Sequence, residues 1–237
     1  LPTAMWHTLA AESLMQSFVI DGGHPLKGSV RAAGNKNAAL PIIAACLLTD
    51  EPVTLTNVPT ILDVETMLDL VADIGVDVER LGPGELRVHA ADTPRHELDQ
   101  ELCRRIRASI LLAGPLLARC GRAVVPPPGG DVIGRRRIDT HVHAFQKLGA
   151  TVEIGRRYEL EADDLSGCSI FLDEASVTGT ENAVMAAVLA RGETVIANAA
   201  SEPHVQDLCR FLVSLGARIE GIGTNVLQIE GVERLHG

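Results

Sequence analysis

The chain has 237 residues, of which 46% are hydrophobic and 22% charged, and its formal net charge at pH 7 is −10. This composition is typical of a globular protein with a sizeable core, and the negative charge argues against a nucleic-acid or membrane-surface binder. Only 3% of the residues are aromatic, so the core must consist mainly of Leu, Val, Ile and Ala. The five scattered cysteines lack a CxxC spacing, which indicates reduced thiols and a cytoplasmic protein.

The N-terminal part of the chain differs from the rest in its pattern. Residues 1–17 lack the basic leader and cleavage site of a signal peptide, and we predict an extension with no assigned role. Residues 18–33 predict two short strands around a Gly-Pro turn. Apolar runs further along, such as ASILLAGPLLA, are about half as long as a membrane-spanning helix, so no membrane partner is expected.

Residues 36–235 contain three segments with the same order of predicted elements, α-β-α-β-β. Strands are predicted at Val53–Thr56, Ala123–Val125 and Thr194–Ala197. The helices that follow them are predicted at Val64–Ile74, Thr140–Leu148 and Val205–Leu215, each followed by a hairpin. The glycines that end these helices, Gly75, Gly149 and Gly216, recur after 74 and 67 residues. This period is too long for a solenoid and favours three α/β modules around a pseudo-threefold axis.

The middle segment carries an insertion. Residues 57–63 and 198–204 each span six steps, whereas the equivalent residues 127–137 span ten, so about four residues are added within PPPGGDVIGRRR. Loops on a repeated scaffold often carry function, although a tolerated surface insertion is the alternative.

The starts of the three first helices predict an anion site. They lie at 34–37, 104–107 and 176–181, and in the last of them Thr178 and Glu181 fit a capping box. Pseudo-symmetry would place these starts at one end of the domain, where free N–H groups and the helix dipole favour anions. Lys36, Arg107 and the arginines at 135–137 add positive charge. A phosphorylated ligand is therefore predicted, and satisfied helix caps are the alternative.

The pair His141 and His143 raises the question of a metal hydrolase. At this spacing on a helix the two rings point to different faces, and no carboxylate–histidine set surrounds them in the sequence. We therefore predict helix-start and surface roles for both histidines, and no metal.

Five sequence segments, GNKNAALP, RASILLAGPLLAR, PPGGDVIGRRRIDTH, EASVTGTEN and IEGVERLHG, together resemble the UDP-N-acetylglucosamine enolpyruvyl transferase family over residues 18–237. The resemblance implies an α/β fold of two domains, an inside-out α/β barrel with three repeats in each. Residues 36–235 would form one domain with a mobile loop at 126–137, and 18–35 would belong to the other. It also implies transfer of the enolpyruvyl group of phosphoenolpyruvate to the 3-hydroxyl of UDP-N-acetylglucosamine, for peptidoglycan synthesis, with no cofactor.

The same resemblance implies roles for individual residues. Lys36 and Asn37 match a pair that contacts phosphoenolpyruvate, and Arg107 matches a contact to the nucleotide sugar. Asp131 matches the proton donor, which is cysteine in many members, and without that thiol the epoxide fosfomycin is not expected to form its adduct. To act as an acid, Asp131 must be protonated in the closed complex. Further nucleotide-sugar contacts are implied for Arg136, Arg137, Ile138, Asp139, Thr140, Glu174, Ala175, Ser176 and Val177.

The chain ends where the second domain of the family would follow, so the resemblance implies an incomplete, inactive half whose missing partner is the C-terminal domain. Two alternatives stay open: an enolpyruvyl transferase for shikimate phosphate or a uridine nucleotide, and a non-catalytic module that binds a sugar nucleotide. The segments RRRID and ASVTGTEN favour the sugar nucleotide.

Overall fold

The computed structural model describes residues 19–23, 25, 27–130 and 138–237, and the structural statements below concern those residues. The chain divides into two units, Leu1–Ala32 and Ala33–Gly237. In the described part of 19–33 there is no strand, because none of these residues joins a strand pairing within this chain. That residues 18–35 belong to a second domain stays a prediction.

The larger unit alternates helices and strands. Its α-helices are α1 (Lys36–Ala45), α2 (Leu62–Asp73), α3 (Gln100–Arg105), α4 (Ala113–Cys120), α5 (Asp139–Lys147), α6 (Val177–Ala187) and α7 (Pro203–Ser214). Two 3-10 helices, Cys46–Leu48 and Arg107–Leu112, follow α1 and precede α4. The strands are β1 (Val53–Leu55), β2 (Asp77–Gly82), β3 (Glu85–His89), β4 (Arg122–Val125), β5 (Thr151–Ile154), β6 (Tyr158–Glu161), β7 (Ser169–Phe171), β8 (Glu193–Ala197), β9 (Arg218–Glu220) and β10 (Val226–Glu230). The three strands and three helices with predicted bounds in this unit are confirmed to within two residues at each end.

The strands form three separate sheets, with orders β1-β3-β2, β4-β6-β5 and β7-β8-β10-β9. Each contains a predicted hairpin: β2–β3, β5–β6 and β9–β10 are antiparallel pairs. The pairing of β7 with β8 is parallel. In the described part of the chain the strands do not close into a barrel, and the fold is mixed α/β.

The core lies among the helices. Every residue of α6 from Gly179 to Ala187 is buried, as expected for a helix that packs on all sides. Small residues allow this close packing: a Cβ on Gly114 in α4 would lie 2.7 Å from the carbonyl oxygen of Asn182. None of the helices in the described ranges combines the length and apolar character needed to cross a bilayer.

Three helices end at a glycine, as predicted from the sequence. Gly75, Gly149 and Gly216 each follow the C-cap residue of α2, α5 and α7 and have φ of 96°, 103° and 102°. Glycine adopts this left-handed conformation without a Cβ clash, so these residues end their helices as predicted.

Candidate functional site

The first turns of α1, α6 and the second 3-10 helix border one cavity of about 520 Å³. α1 begins at Lys36, after Asn35, whose side-chain oxygen accepts a hydrogen bond of 2.7 Å from the Asn37 N–H. The 3-10 helix begins at Arg107 and α6 at Val177. The polar residues that line the cavity are Lys36, Asn37, Asp63, Arg105, Arg107, Thr178, Glu181, Glu202 and His204. The structure thus brings the three helix starts together, as predicted.

The positive charge at this cavity is partly balanced. Lys36 Nζ lies 2.7 Å from Asp63 Oδ2, and the two side chains are 42% and 38% exposed. Such an exposed ion pair contributes at most about 1 kcal/mol, so an anionic ligand can attract the ammonium group away from Asp63 at small cost. The N–H groups at the starts of α1 and α6 add partial positive charge. The arrangement can therefore bind an anion.

The starts of α5 and α6 also lie side by side. Thr140 Oγ1 donates a hydrogen bond of 2.8 Å to Asp173 Oδ1, just before the segment that leads into α6. This hydrogen bond lowers the pKa of Asp173. A Cβ on Gly179 would lie only 2.9 Å from Thr140 Cγ2, so the two helix starts are in close contact. The structure therefore places 138–140 next to 174–177, the two runs that the resemblance assigns to one ligand.

A buried hydrogen-bond network connects the cavity-lining Thr178 to the core. Asn182 Oδ1 accepts from the Gly114 N–H at 2.8 Å, and Asn182 Nδ2 donates to the Ile110 carbonyl at 2.9 Å. Asn182 Nδ2 also lies 2.9 Å from His141 Nδ1, and His141 Nε2 lies 3.1 Å from Thr178 Oγ1. Four segments are joined in this way: α4, α5, α6 and the 3-10 helix before α4.

This network determines the tautomer of His141. The amide nitrogen of Asn182 is a donor, so His141 Nδ1 must be the acceptor and the ring proton lies on Nε2, which donates to Thr178. Burial and, to a smaller extent, the positive charge of Arg107 lower the pKa of His141 from 6.5 to about 4. The ring is therefore neutral at neutral pH.

We expect the contribution of His141 to the stability of the folded chain to be lost as the pH falls from 6.5 to about 4. In this range the unfolded chain binds a proton at His141 that the folded chain does not bind, so acid favours unfolding. The contribution is complete above pH 6.5 and amounts to about 3 kcal/mol. Urea unfolding across this range should be compared for the wild type and His141→Gln, which cannot gain the charge. The difference in unfolding free energy between the wild type and His141→Gln should become smaller as the pH falls. A difference that stays constant across this range would contradict the expectation.

The segment before residue 131 is held against α3 and Arg107. The Gly129 N–H donates to the Cys103 carbonyl at 2.9 Å, and the Gly130 N–H donates to the Arg104 carbonyl at 3.3 Å. A Cβ on Gly129 would lie 1.7 Å from the Arg104 oxygen, and one on Gly130, where φ is 81°, would lie 3.0 Å from the Arg107 nitrogen. Only glycine allows this approach, which places Gly130 in the cavity wall.

The predicted site residues fall into three groups. Those that line the cavity are Lys36, Asn37, Arg107 and Val177. Those beside it, at the start of α5 or just before α6, are Ile138, Asp139, Thr140, Glu174, Ala175 and Ser176. Those outside the described residues are Asp131, Arg136 and Arg137. Residues 131–137 of the segment that carries the insertion also lie outside them, so the contacts of these residues stay predictions.

The predicted capping box of α6 is wrong. The N-cap is Ser176, whose Oγ accepts from the Gly179 N–H at 3.2 Å. Thr178 already lies in the first turn of the helix, where it bonds His141 instead. Glu181 lines the cavity and does not reach back to the cap. Ser176 and Thr178 both carry a hydroxyl group that can cap this helix. Thr178 bonds His141, and Ser176 is the N-cap.

The prediction of a surface role for His141 is also wrong. His141 lies in the first turn of α5, as predicted, but its side chain is only 3% exposed because it joins the buried network. His143 is half-buried. In the described ranges no three His, Cys, Asp or Glu side chains are grouped in a way that could hold a metal ion.

Three polar residues that line the cavity lie outside the helix starts from which the anion site was predicted: Asp63, Glu202 and His204. A signal for two of them was present in the equal spacings 57–63 and 198–204. Each spacing starts at an asparagine with φ near +57°, Asn57 or Asn198, and ends at a residue of the cavity, Asp63 or His204. Two residues that lie six positions after similar turns therefore line the same cavity.

Comparison with known proteins reveals similarity over most of the chain. Residues 20–237 match the model of the family described as EPSP synthase (3-phosphoshikimate 1-carboxyvinyltransferase). The UDP-N-acetylglucosamine 1-carboxyvinyltransferase of Bradyrhizobium diazoefficiens is 60% identical over 90% of this chain and 50% of its own length. The enzyme of the same name from Treponema pallidum is 57% identical over 94% of this chain and 52% of its own length. The chain therefore spans about half the length of the curated relatives that it matches.

Solved structures share the fold at lower sequence identity. The enolpyruvyl transferase NikO from Streptomyces tendae superposes with a TM-score of 0.78 at 24% identity, over 91% of this chain and 51% of that one. The EPSP synthase from Acinetobacter baumannii has a TM-score of 0.72 at 21% identity, over 89% of this chain and 48% of that one. These structures show that the fold is shared, and the family match over residues 20–237 shows that the chain belongs to the EPSP synthase (3-phosphoshikimate 1-carboxyvinyltransferase) family.

Proposed function

We propose that this chain is about half of a UDP-N-acetylglucosamine 1-carboxyvinyltransferase. The complete enzyme transfers the enolpyruvyl group of phosphoenolpyruvate to the 3-hydroxyl of UDP-N-acetylglucosamine and releases phosphate, in the first committed step of peptidoglycan synthesis. The observation that carries the proposal is the single cavity at which Lys36, Asn37, Arg107 and the start of α6 meet. The names of relatives that are 50% to 60% identical support it.

The reaction is an addition followed by an elimination. The 3-hydroxyl group gives up its proton as its oxygen bonds to C2 of phosphoenolpyruvate, and C3 takes up a proton. The bond between C2 and the phosphate oxygen then breaks and C3 gives up a proton, so that the double bond forms again. Negative charge builds up on the departing phosphate, and fixed cations and helix N-termini stabilise such charge without having to reorganise.

We assign roles to the site residues on this basis. Lys36 and Asn37 hold phosphoenolpyruvate, and Lys36 exchanges its ion pair with Asp63 for one with the substrate. Arg107 binds the nucleotide sugar, and Asp131 donates the proton to C3. The remaining nucleotide-sugar contacts come from the runs 136–140 and 174–177, whose described members lie side by side.

We further propose that the three α-β-α-β-β segments are repeats around a pseudo-threefold axis, with helices inside and sheets outside. The burial of α6 and the three separate sheets support this arrangement. A second domain, to which 18–35 belongs, would complete the cleft, and the loop 126–137 would cover it. The coverage of about half of each relative supports a further domain in the complete protein.

The proposal is tested by calorimetric titration of the chain with UDP-N-acetylglucosamine. Arg107→Ala is expected to weaken binding by about tenfold to a hundredfold, because it removes a charged hydrogen-bond donor from the site. Arg156→Ala is a matched control, since Arg156 is exposed and does not line the cavity, and it should bind like the wild type. A wild-type chain that bound 3-phosphoshikimate more tightly than the sugar nucleotide, or did not bind the sugar nucleotide, would overturn the proposal.

A further inference from the structure

Glu181 is an acidic residue in the wall of a cavity whose other features favour anions. It lies in the second turn of α6 and is only 1% exposed. Its Oε1 atom is buried and has no hydrogen-bond partner among the described residues. A buried polar atom without a partner costs about 1 to 3 kcal/mol, so a ligand that supplies the partner would recover this free energy on binding.

The surroundings of Glu181 offer little solvation for a charge. The same cavity is lined by the apolar side chains of Leu40, Pro41 and Leu111. The side chain is therefore placed where an ionised carboxylate is unfavourable and where it would also repel a phosphate. An un-ionised carboxyl group carries no charge to be buried and does not repel a phosphate. Its O–H can donate a hydrogen bond to a phosphate or hydroxyl oxygen.

We propose that Glu181 is a ligand-binding residue of this cavity, and that its un-ionised carboxyl group donates a hydrogen bond to a phosphate or hydroxyl oxygen of the anionic substrate. The inference rests on the proposed function, because it concerns the same site and the same substrates. It adds a carboxylic acid donor to a site where cations and helix N-termini balance the charge of the ligand.

The charged and titratable groups around Glu181 come from several elements. They are Lys36, Asp63, Arg105 and Arg107 on the cavity wall, and Glu202, His204 and Cys209 at or within α7. Burial, with the charge of Glu202, raises the pKa of Glu181 to about 8, so the proton is held at neutral pH. Burial and then the charge of Glu181 raise the pKa of Cys209 to about 12, so that thiol stays neutral too.

The test is a titration of the 237-residue chain with UDP-N-acetylglucosamine, in the wild type, Glu181→Leu and Glu181→Gln. Leucine fills the position without a donor and should weaken binding about tenfold. Glutamine keeps an N–H donor and should bind within about threefold of the wild type at neutral pH. At about pH 9 the wild type should weaken while Glu181→Gln does not, because only the carboxyl group ionises. Circular dichroism of each variant verifies that it is folded.

The outcomes separate this inference from the proposed function. If the wild type binds the sugar nucleotide and Glu181→Leu binds it equally well, the role of Glu181 is refuted and the proposed function stands. If the wild type does not bind the sugar nucleotide, the proposed function fails, and the same variants are titrated with phosphoenolpyruvate and inorganic phosphate. A weaker interaction of Glu181→Leu with either anion supports the role of Glu181, whereas equal affinities, or no binding of either anion, overturn it.

Discussion

Replacing Asn182 with alanine is expected to lower the free energy of unfolding by about 3 to 5 kcal/mol. Asn182 is fully buried, and its amide group bonds the Gly114 N–H, the Ile110 carbonyl and His141 Nδ1. Alanine would remove the Asn182 partner of the Gly114 N–H and of His141 Nδ1 in the core, where water cannot replace it. The Ile110 carbonyl would keep only its hydrogen bond from the Ala113 N–H. Urea unfolding followed by circular dichroism measures the change, provided that the slope against urea concentration stays the same.

The matched control for this variant is Asn225→Ala. The side chain of Asn225 is exposed, so its removal should change the free energy of unfolding by less than about 0.5 kcal/mol. A loss below about 1 kcal/mol for Asn182→Ala would show that the core relaxes around the gap, and that the network does not hold the four segments together.

Replacing Glu181 with glutamine is expected to stabilise the fold at alkaline pH by about 3 to 5 kcal/mol. The pKa of Glu181 is raised from 4.5 to about 8 in the folded chain. Between these values the unfolded chain releases the proton and the folded chain keeps it, so the contribution of Glu181 to stability is largest below pH 4.5 and is lost as the pH rises to about 8. Glutamine does not ionise, so the gain of the variant should grow across this range.

The gain is measured as the difference in unfolding free energy between the two proteins at several pH values. Glu220→Gln serves as the control, because Glu220 is exposed on β9 and its replacement should change little at any pH. A difference between wild type and Glu181→Gln that is independent of pH would mean that Glu181 ionises alike in the folded and unfolded chains. A large gain would also fit a residue kept for binding at the expense of stability.

Much of the fold could be predicted because its signals are local. Strand β8 was predicted at Thr194–Ala197 and observed at Glu193–Ala197, and α7 was predicted at Val205–Leu215 and observed at Pro203–Ser214. Both depend on the periodicity of apolar residues and on Gly216, whose left-handed backbone ends the helix. The convergence of the helix starts followed from repetition of the same pattern.

The predictions that failed depend on contacts between segments far apart in the sequence. Thr178 and Ser176 are both suitable N-cap residues, and the bond between Thr178 and His141, 37 residues away, decides between them. Burial of His141 also requires Asn182, 41 residues along the chain. Glu181 has the sequence pattern of a helix cap, and only the fold places it in a cavity wall. No local pattern contains this information.

His141 and Glu181 titrate in opposite senses, and both act on α6. From pH 4.5 to 6.5, alkali strengthens the fold through the imidazole and weakens it through the carboxyl group. The two slopes oppose each other, so the combined effect of these two residues across that interval is smaller than the effect of either one alone. A domain that carried only one of them would respond more strongly to a change in acidity than a domain that carries both.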